Sequence, residues 1–240
     1  MDFQFSNTVN TKTITKYKMP FDKINDIFGD GISFPCVFMA YGTPGSGKTT
    51  FMCQLCSVVQ QQLLRSIACI GEMSLETTAA MCDRLNITIP ISSNVDIDFL
   101  CDIVIPQFKF VIIDSLQMIT YNKNKYKFKK QQFLEYCIDR IYKTAYKYKS
   151  CVGLIVQSTK TGAYKGSSYL SHMVDMQFRL VKCGDNVVIV DNQKNRMGKT
   201  TKLPFNFQES GFIFKKDKKE QEKGYWYKDM LDEVLRVKGR

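Results

Sequence analysis

Residues 35–55 read PCVFMAYGTPGSGKTTFMCQL. The run Val37-Phe38-Met39-Ala40-Tyr41 is apolar and has the length of a buried strand. Gly42-Thr43-Pro44-Gly45-Ser46-Gly47-Lys48-Thr49 then matches the phosphate-binding pattern G-x-x-x-x-G-K-[ST]. From Thr50 to Gln62 the apolar positions Phe51, Leu55, Val58 and Val59 predict a helix. That order suits one chemistry. Glycines let backbone N–H groups curl round phosphate oxygens, and the helix N-terminus adds partial positive charge. The candidate nucleotide-binding set is therefore Gly42, Thr43, Pro44, Gly45, Ser46, Gly47, Lys48, Thr49 and Thr50. Lys48 would reach the β- and γ-phosphates of ATP, and the Thr49 hydroxyl would ligate Mg²⁺.

At 240 residues the chain fits one large α/β domain or a core with a small appendage. No apolar run approaches membrane-spanning length, and residues 1–18 have no apolar signal core, so a soluble, cytoplasmic protein is expected. The 9 cysteines are scattered, and Cys53 and Cys56, the one C-x-x-C pair, lie in the expected helix; buried thiols fit better than a zinc site. The formal charge of +11 favours a polyanionic partner, although a generally Lys-rich composition would give the same total.

Residues 9–15 predict an edge strand or an arm, and Phe21, Ile24, Ile27 and Phe28 have helical spacing before Gly29. Residues 67–70 predict a strand leading into Glu72, and residues 75–85 a helix capped by Ser74. A short helix is expected over 97–104. Phe110-Val111-Ile112-Ile113 ends in Asp114, the pattern of a buried parallel strand with a carboxylate placed to hold the Mg²⁺ shell. Thr120 to Lys130 reads TYNKNKYKFKK, with lysines interleaved with Tyr121, Tyr126 and Phe128. That mixture suits phosphate neutralisation and base stacking, and equally a solvated loop.

A helix over 131–148 and a buried strand over 151–156 ending at Gln157 follow. Residues 174–183 and 186–192 predict an antiparallel hairpin turning at Cys183-Gly184-Asp185. The charge run 215–223 marks the one composition break, dividing a nucleotide-binding core, 1–214, from a basic linker and amphipathic helix, 215–240. That helix would pack on this chain or on a neighbouring subunit.

The succession of P-loop, strand ending in Glu, strand ending in Asp and strand ending in Gln resembles the RecA-like ATPase core. Finer matches resemble the bacterial RadA/Sms family: Gly71-Glu72-Met73-Ser74-Leu75-Glu76, Ile112-Ile113-Asp114-Ser115-Leu116-Gln117, Thr159-Lys160-Thr161-Gly162 with Leu170 to Asp175, and Lys194-Asn195-Arg196-Met197-Gly198. The resemblance covers about residues 10–214. It implies an α/β fold, a mostly parallel twisted sheet flanked by helices with an antiparallel C-terminal extension. No paired C-x-x-C for the family's zinc finger precedes Pro35, and too few residues follow Phe214 for its protease-like domain, so the chain looks like a core-only relative of the kind phages and mobile elements encode. Gln157 stands where the family usually has His.

The same resemblance implies roles. Glu72 would polarise the attacking water, Asp114 complete the metal site and Gln157 sense the γ-phosphate. Lys194 and Arg196 alternate on an extended segment and would enter the adjacent subunit's ATP site, which requires a ring, most simply a hexamer, or a filament. Loops 119–130 and 158–168 would face single-stranded DNA, with Lys123, Lys125, Lys127, Lys160 and Lys165 on phosphates and Tyr126, Phe128 and Tyr164 stacking. His172, the sole histidine, reads as a packing or hydrogen-bonding residue. The function implied is an ATP-driven translocase or helicase in recombination, branch migration or repair, with a recombinase or replisome protein as partner. A DnaB-type replicative helicase core and a RecA-like strand-exchange filament are the alternatives.

Overall fold

The computed structural model describes residues 14–125, 127–158 and 168–214. Tyr126, Lys160, Tyr164, Lys165 and the expected C-terminal helix lie outside the described residues. The chain enters through strand β1 (Thr15–Tyr17), helix α1 (Asp22–Phe28) and strand β2 (Ile32–Phe34), and β1 pairs with β2 in a small antiparallel sheet. Strand β3 (Cys36–Tyr41) and helix α2 (Lys48–Gln60) flank the P-loop. Strand β4 (Ser66–Ile70), helix α3 (Leu75–Arg84) and the short strand β5 (Ile91–Ser92) follow. Ser74 caps α3 as expected, accepting from the Thr77 N–H at 3.2 Å. The helical segment 97–107 contains a π-helical turn at Leu100–Val104.

Strand β6 (Phe110–Asp114), helix α4 (Lys130–Tyr148) and strand β7 (Cys151–Val156) complete the parallel set. Helix α5 (Ser168–Met173) precedes four strands: β8 (Met176–Lys182), β9 (Val187–Asn195), β10 (Lys202–Gln208) and β11 (Gly211–Phe212). The main sheet runs β11-β10-β9-β8-β3-β7-β6-β4-β5. From β8 to β5 its pairings are parallel, and from β8 outward to β11 they are antiparallel. The expected architecture is the observed one. The hairpin β8–β9 is also present, with a register shift between Gln177 and Phe178.

The period-2 alternation of strands explains the two cores. On β3, Cys36, Phe38 and Ala40 join a cluster with α1 and α2, whereas Val37, Met39 and Tyr41 join a second with α4 and segment 97–107. On β6, Phe110 and Ile112 face the first cluster and Val111 and Ile113 the second. Both faces are apolar because both are covered, which is why these strands read as unbroken hydrophobic runs. Eight cysteines are buried in these layers and only Cys183, in the hairpin turn, is exposed.

Gly153, in the centre of β7, leaves no room for a side chain. A Cβ there would lie 2.5 Å from Phe38 Cζ, 2.7 Å from Met52 Cε and 2.9 Å from Ile112 Cδ1. Gly153→Ala is therefore expected to destabilise the fold by about 1–3 kcal/mol through overpacking. Denaturant unfolding reads this as a lower midpoint at unchanged slope.

Candidate nucleotide site

The register of the parallel strands brings four carboxyl ends level. Tyr41 pairs with Val156, Asp114 with Ile155 and Ile70 with Asp114, so the residues after β3, β7, β6 and β4 share one edge. Open α/β sheets bind ligands in that crevice. Here it is a cleft of about 510 Å³ lined by the P-loop, Glu72, Asp114, Gln157 and Ser158. The sequence separated these residues by more than a hundred positions, and the sheet assembles them.

The P-loop backbone needs its glycines. Gly47, which opens α2, has φ +82°, and a Cβ on it would lie 3.1–3.2 Å from the rings of Phe212 and Phe207. Lys48 Nζ donates to the carbonyls of Gly42 and Thr43, each at 3.0 Å. Burial pushes the Lys48 ammonium below its ordinary pKa, opposed by the Asp114 and Glu72 carboxylates.

Thr49 Oγ1 donates to Asp114 Oδ2 at 2.6 Å. The other carboxylate oxygen, Asp114 Oδ1, is buried without a hydrogen-bond partner. Burial pushes the Asp114 carboxyl up to about 6, with the Thr49 hydrogen bond pulling it down. A buried carboxylate with an unused oxygen beside a hydroxyl is a hard, all-oxygen donor set of the kind Mg²⁺ takes alongside substrate phosphates. The residues present fit a Mg²⁺–nucleotide.

Glu72 is exposed to the cleft and fixed from two sides. Its Oε1 accepts from Ser115 Oγ at 2.6 Å and from Gln157 Nε2 at 2.9 Å. The preceding glycine is closely packed: Gly71 N donates to Asp114 O at 2.6 Å, and a Cβ on Gly71 would lie 2.8 Å from Val95 Cγ2. The Gln157 backbone N–H is in turn held by Gln117 Oε1 at 3.1 Å, and Ser158 Oγ donates to Gly42 O at 2.6 Å. Ser115 and Gln117 belong to a matched motif and Ser158 to an expected loop, but sequence reading assigned none of them, nor Phe207, which also lines the cleft, a role of its own.

Lys194 and Arg196 lie away from this cleft. Lys194 Nζ donates to the carbonyls of Ser171 at 2.6 Å, His172 at 3.2 Å and Val174 at 2.6 Å, at the C-terminal end of α5. Arg196 Nη2 donates to His172 O at 2.7 Å, and the Arg196 side chain is 49% exposed. The two side chains thus project the same way, as their alternation implied. The His172 ring itself is exposed.

In loop 119–130, Lys123 and Lys127 are exposed, whereas Lys125 pairs with Asp98 at 2.9 Å. Asp98 and Asp102 both engage Arg140 of α4. Phe128, expected to be available for stacking, instead stacks on Tyr136 at 4.9 Å between ring centroids and lies near Phe133 and Tyr121. Burying ring area within the chain's own aromatic cluster accounts for that difference.

No family model matches the chain. It is 25% identical over 202 residues to DNA repair protein RadA of Rickettsia typhi, covering 81% of this chain and 45% of that protein. RadA of Bacillus subtilis is 23% identical over 219 residues (85% and 46%), and RadA of Escherichia coli 25% over 204 residues (81% and 43%). The chain is RadA-like. It spans under half the length of these relatives. Among solved structures, one ATPase domain superposes on this RadA-like chain with TM-score 0.71 at 13% identity, covering 84% of this chain and 92% of that one. A KaiC-like protein from Pyrococcus horikoshii gives TM-score 0.66 at 13% identity, covering 84% and 99%. These two likenesses concern the fold, that of the RecA-type ATPases. Among the described residues, no helix is long and apolar enough to cross a membrane.

Proposed function

We propose that this chain hydrolyses Mg²⁺–ATP at a seam between copies of itself and couples hydrolysis to movement along single-stranded DNA, in recombination, branch migration or repair. The observation that carries the first half is the convergence of Lys48, Thr49, Asp114, Glu72 and Gln157 on one cleft. Lys48 and the P-loop N–H groups bind and orient the phosphates, and Thr49 and Asp114 would hold Mg²⁺, which would supply neutralisation of phosphate charge. Glu72 takes the proton of the attacking water, and Gln157 links that carboxylate to the loop beginning at Ser158.

The position of Arg196 supports the seam reading. Its backbone N–H donates to Asp175 O, and the Asp175 N–H donates to Val37 O, at the start of β3. The P-loop begins at the other end of that strand, five residues on, or about 17 Å at ~3.3 Å per residue. Within one chain Arg196 and the phosphates are thus at opposite ends of the sheet. Arg196, with Lys194 beside it, acts on a neighbour's γ-phosphate in a ring, most simply a hexamer, or a filament. DNA contact rests on the +11 charge, the exposed Lys123 and Lys127, and the DNA-repair naming of the RadA relatives. Lys125, Tyr126, Lys160 and Lys165 complete the proposed contact set, Lys125 after exchanging Asp98 for phosphate.

The test is ATP turnover with and without single-stranded DNA, followed by unwinding of a forked duplex. Turnover that rises with DNA, together with ATP-dependent unwinding, is expected. Turnover indifferent to DNA would remove the motor reading, and stimulation without unwinding would favour the strand-exchange alternative. For the seam, Arg196→Ala should lose turnover and regain part of it when mixed with Lys48→Ala subunits, because each supplies the group the other lacks. Mixed oligomers with no regain would remove the seam.

A further inference from the structure

A residue that acts across a subunit boundary must be held in place before the boundary forms, since misplacement by about 1 Å costs up to a hundredfold in rate. Arg196 is half exposed on a long side chain and is tied by one hydrogen bond, Nη2 to His172 O at 2.7 Å, so the question is what fixes the rest of the guanidinium. Asp175 is next to it. The Asp175 side chain is 2% exposed, and its Oδ1 lies 3.8 Å from Arg196 Nη1. The carboxylate is itself pinned from two elements. Oδ2 accepts from the Val37 N–H at 2.9 Å and from Tyr146 OH at 3.1 Å, and Oδ1 accepts from Tyr142 OH at 3.4 Å. Tyr142 and Tyr146 lie one turn apart on α4 with rings stacked at 4.4 Å.

Burial raises the Asp175 carboxyl above its ordinary range, so retaining a carboxylate there is costly for the fold. An amide could satisfy the Val37 N–H with the same shape. What only the carboxylate supplies is negative charge facing the guanidinium. Sequence reading placed Asp175 in a matched motif but gave it no role, and nothing in the nucleotide cleft uses it.

We infer that Asp175, braced by Tyr142, Tyr146 and the Val37 N–H of β3, is the positioning residue for Arg196. This rests on the seam reading above. Asp175 never meets the nucleotide. It fixes the guanidinium at the edge of the sheet where β3 begins, so that the neighbour's cleft receives it already oriented. The C-terminal end of α4 and the first residues of β3 thereby control hydrolysis in a different copy of the chain.

The experiment compares Asp175→Asn with Arg196→Ala, each alone and each mixed with Lys48→Ala subunits, with mixed assembly verified by differential tags. Asp175→Asn is expected to lower kcat about ten- to a hundredfold with KM for ATP nearly unchanged. It should then recover on mixing with Lys48→Ala, as Arg196→Ala does, but not on mixing with a Lys48→Ala/Arg196→Ala double variant. A defect of folding alone would not recover selectively with the subunit that carries Arg196. Recovery of Arg196→Ala without recovery of Asp175→Asn would overturn this inference and leave the seam standing. Failure of both to recover would take down the seam first. A wild-type rate for Asp175→Asn overturns the inference outright. Should Asp175→Asn not fold, Tyr146→Phe removes one brace and keeps the ring. Its kcat must then fall in the same direction, by less, and recover in the same mixture, or the inference is wrong.

Discussion

Lys48→Ala is expected to abolish ATP turnover, with a loss of at least about a hundredfold, the scale of removing a preorganised charge from a transition state. The ammonium sits at the mouth of α2 and donates to two carbonyls of its own loop. Those bonds hold the side chain over the phosphate cradle, on the side facing Asp114 and Glu72. No other described cation lines the cleft. Substitution should leave the fold nearly intact, because Lys48 is only partly buried and its carbonyl partners can turn to water. Circular dichroism and oligomer size are therefore expected to match the parent, while nucleotide affinity and steady-state turnover fall together. Turnover above a few per cent of the parent would mean that phosphate charge is stabilised elsewhere, and the assignment of the cleft would be wrong.

The features legible in the sequence were those with a local physical cause. The P-loop is readable because each residue answers a backbone or charge requirement of phosphate. Strands β3, β6 and β7 are readable because sheets covered on both faces give unbroken apolar runs. Glu72 was readable through the resemblance of residues 71–76 to the family's motif, and the glycine before it packs against Val95. What stayed hidden depends on partners brought together by the sheet. Ser115 and Gln117 look like ordinary polar residues after a strand. They matter because the pairing of Ile70 with Asp114 sets Ser115 beside Glu72, and the pairing of β6 with β7 sets Gln117 beside Gln157. Phe128 read as an available ring because the aromatic partners on α4 are only visible in three dimensions. Lys125 read as an available charge because Asp98 lies 27 residues away in sequence. The antiparallel strands β10 and β11 carried apolar residues whose element type only the pairing of β10 with β9 and of β11 with β10 reveals.

Those same hidden partners decide the second large effect. Glu72→Gln is expected to slow hydrolysis about a hundred- to ten-thousandfold, the range over which a positioned general base acts, while nucleotide affinity stays close to the parent's. The substitution is conservative in shape. Glu72 Oε1 accepts both hydrogen bonds, from Ser115 and from Gln157, and a glutamine carbonyl oxygen can accept the same two. The side chain therefore keeps its place at the end of β4, and only the capacity to take a proton from water is lost. Single-turnover hydrolysis separates this from any change in product release, and a fluorescent nucleotide analogue reports binding. Ser115→Ala makes the complementary case. It keeps the carboxylate but frees its orientation, so hydrolysis should fall by less than in Glu72→Gln. A Glu72→Gln chain that hydrolyses ATP at the parental rate would move the base to another residue. The hydrogen bonds from Ser115 and Gln157 would then be structural ties between β4, β6 and β7, with no part in aiming water at the γ-phosphate.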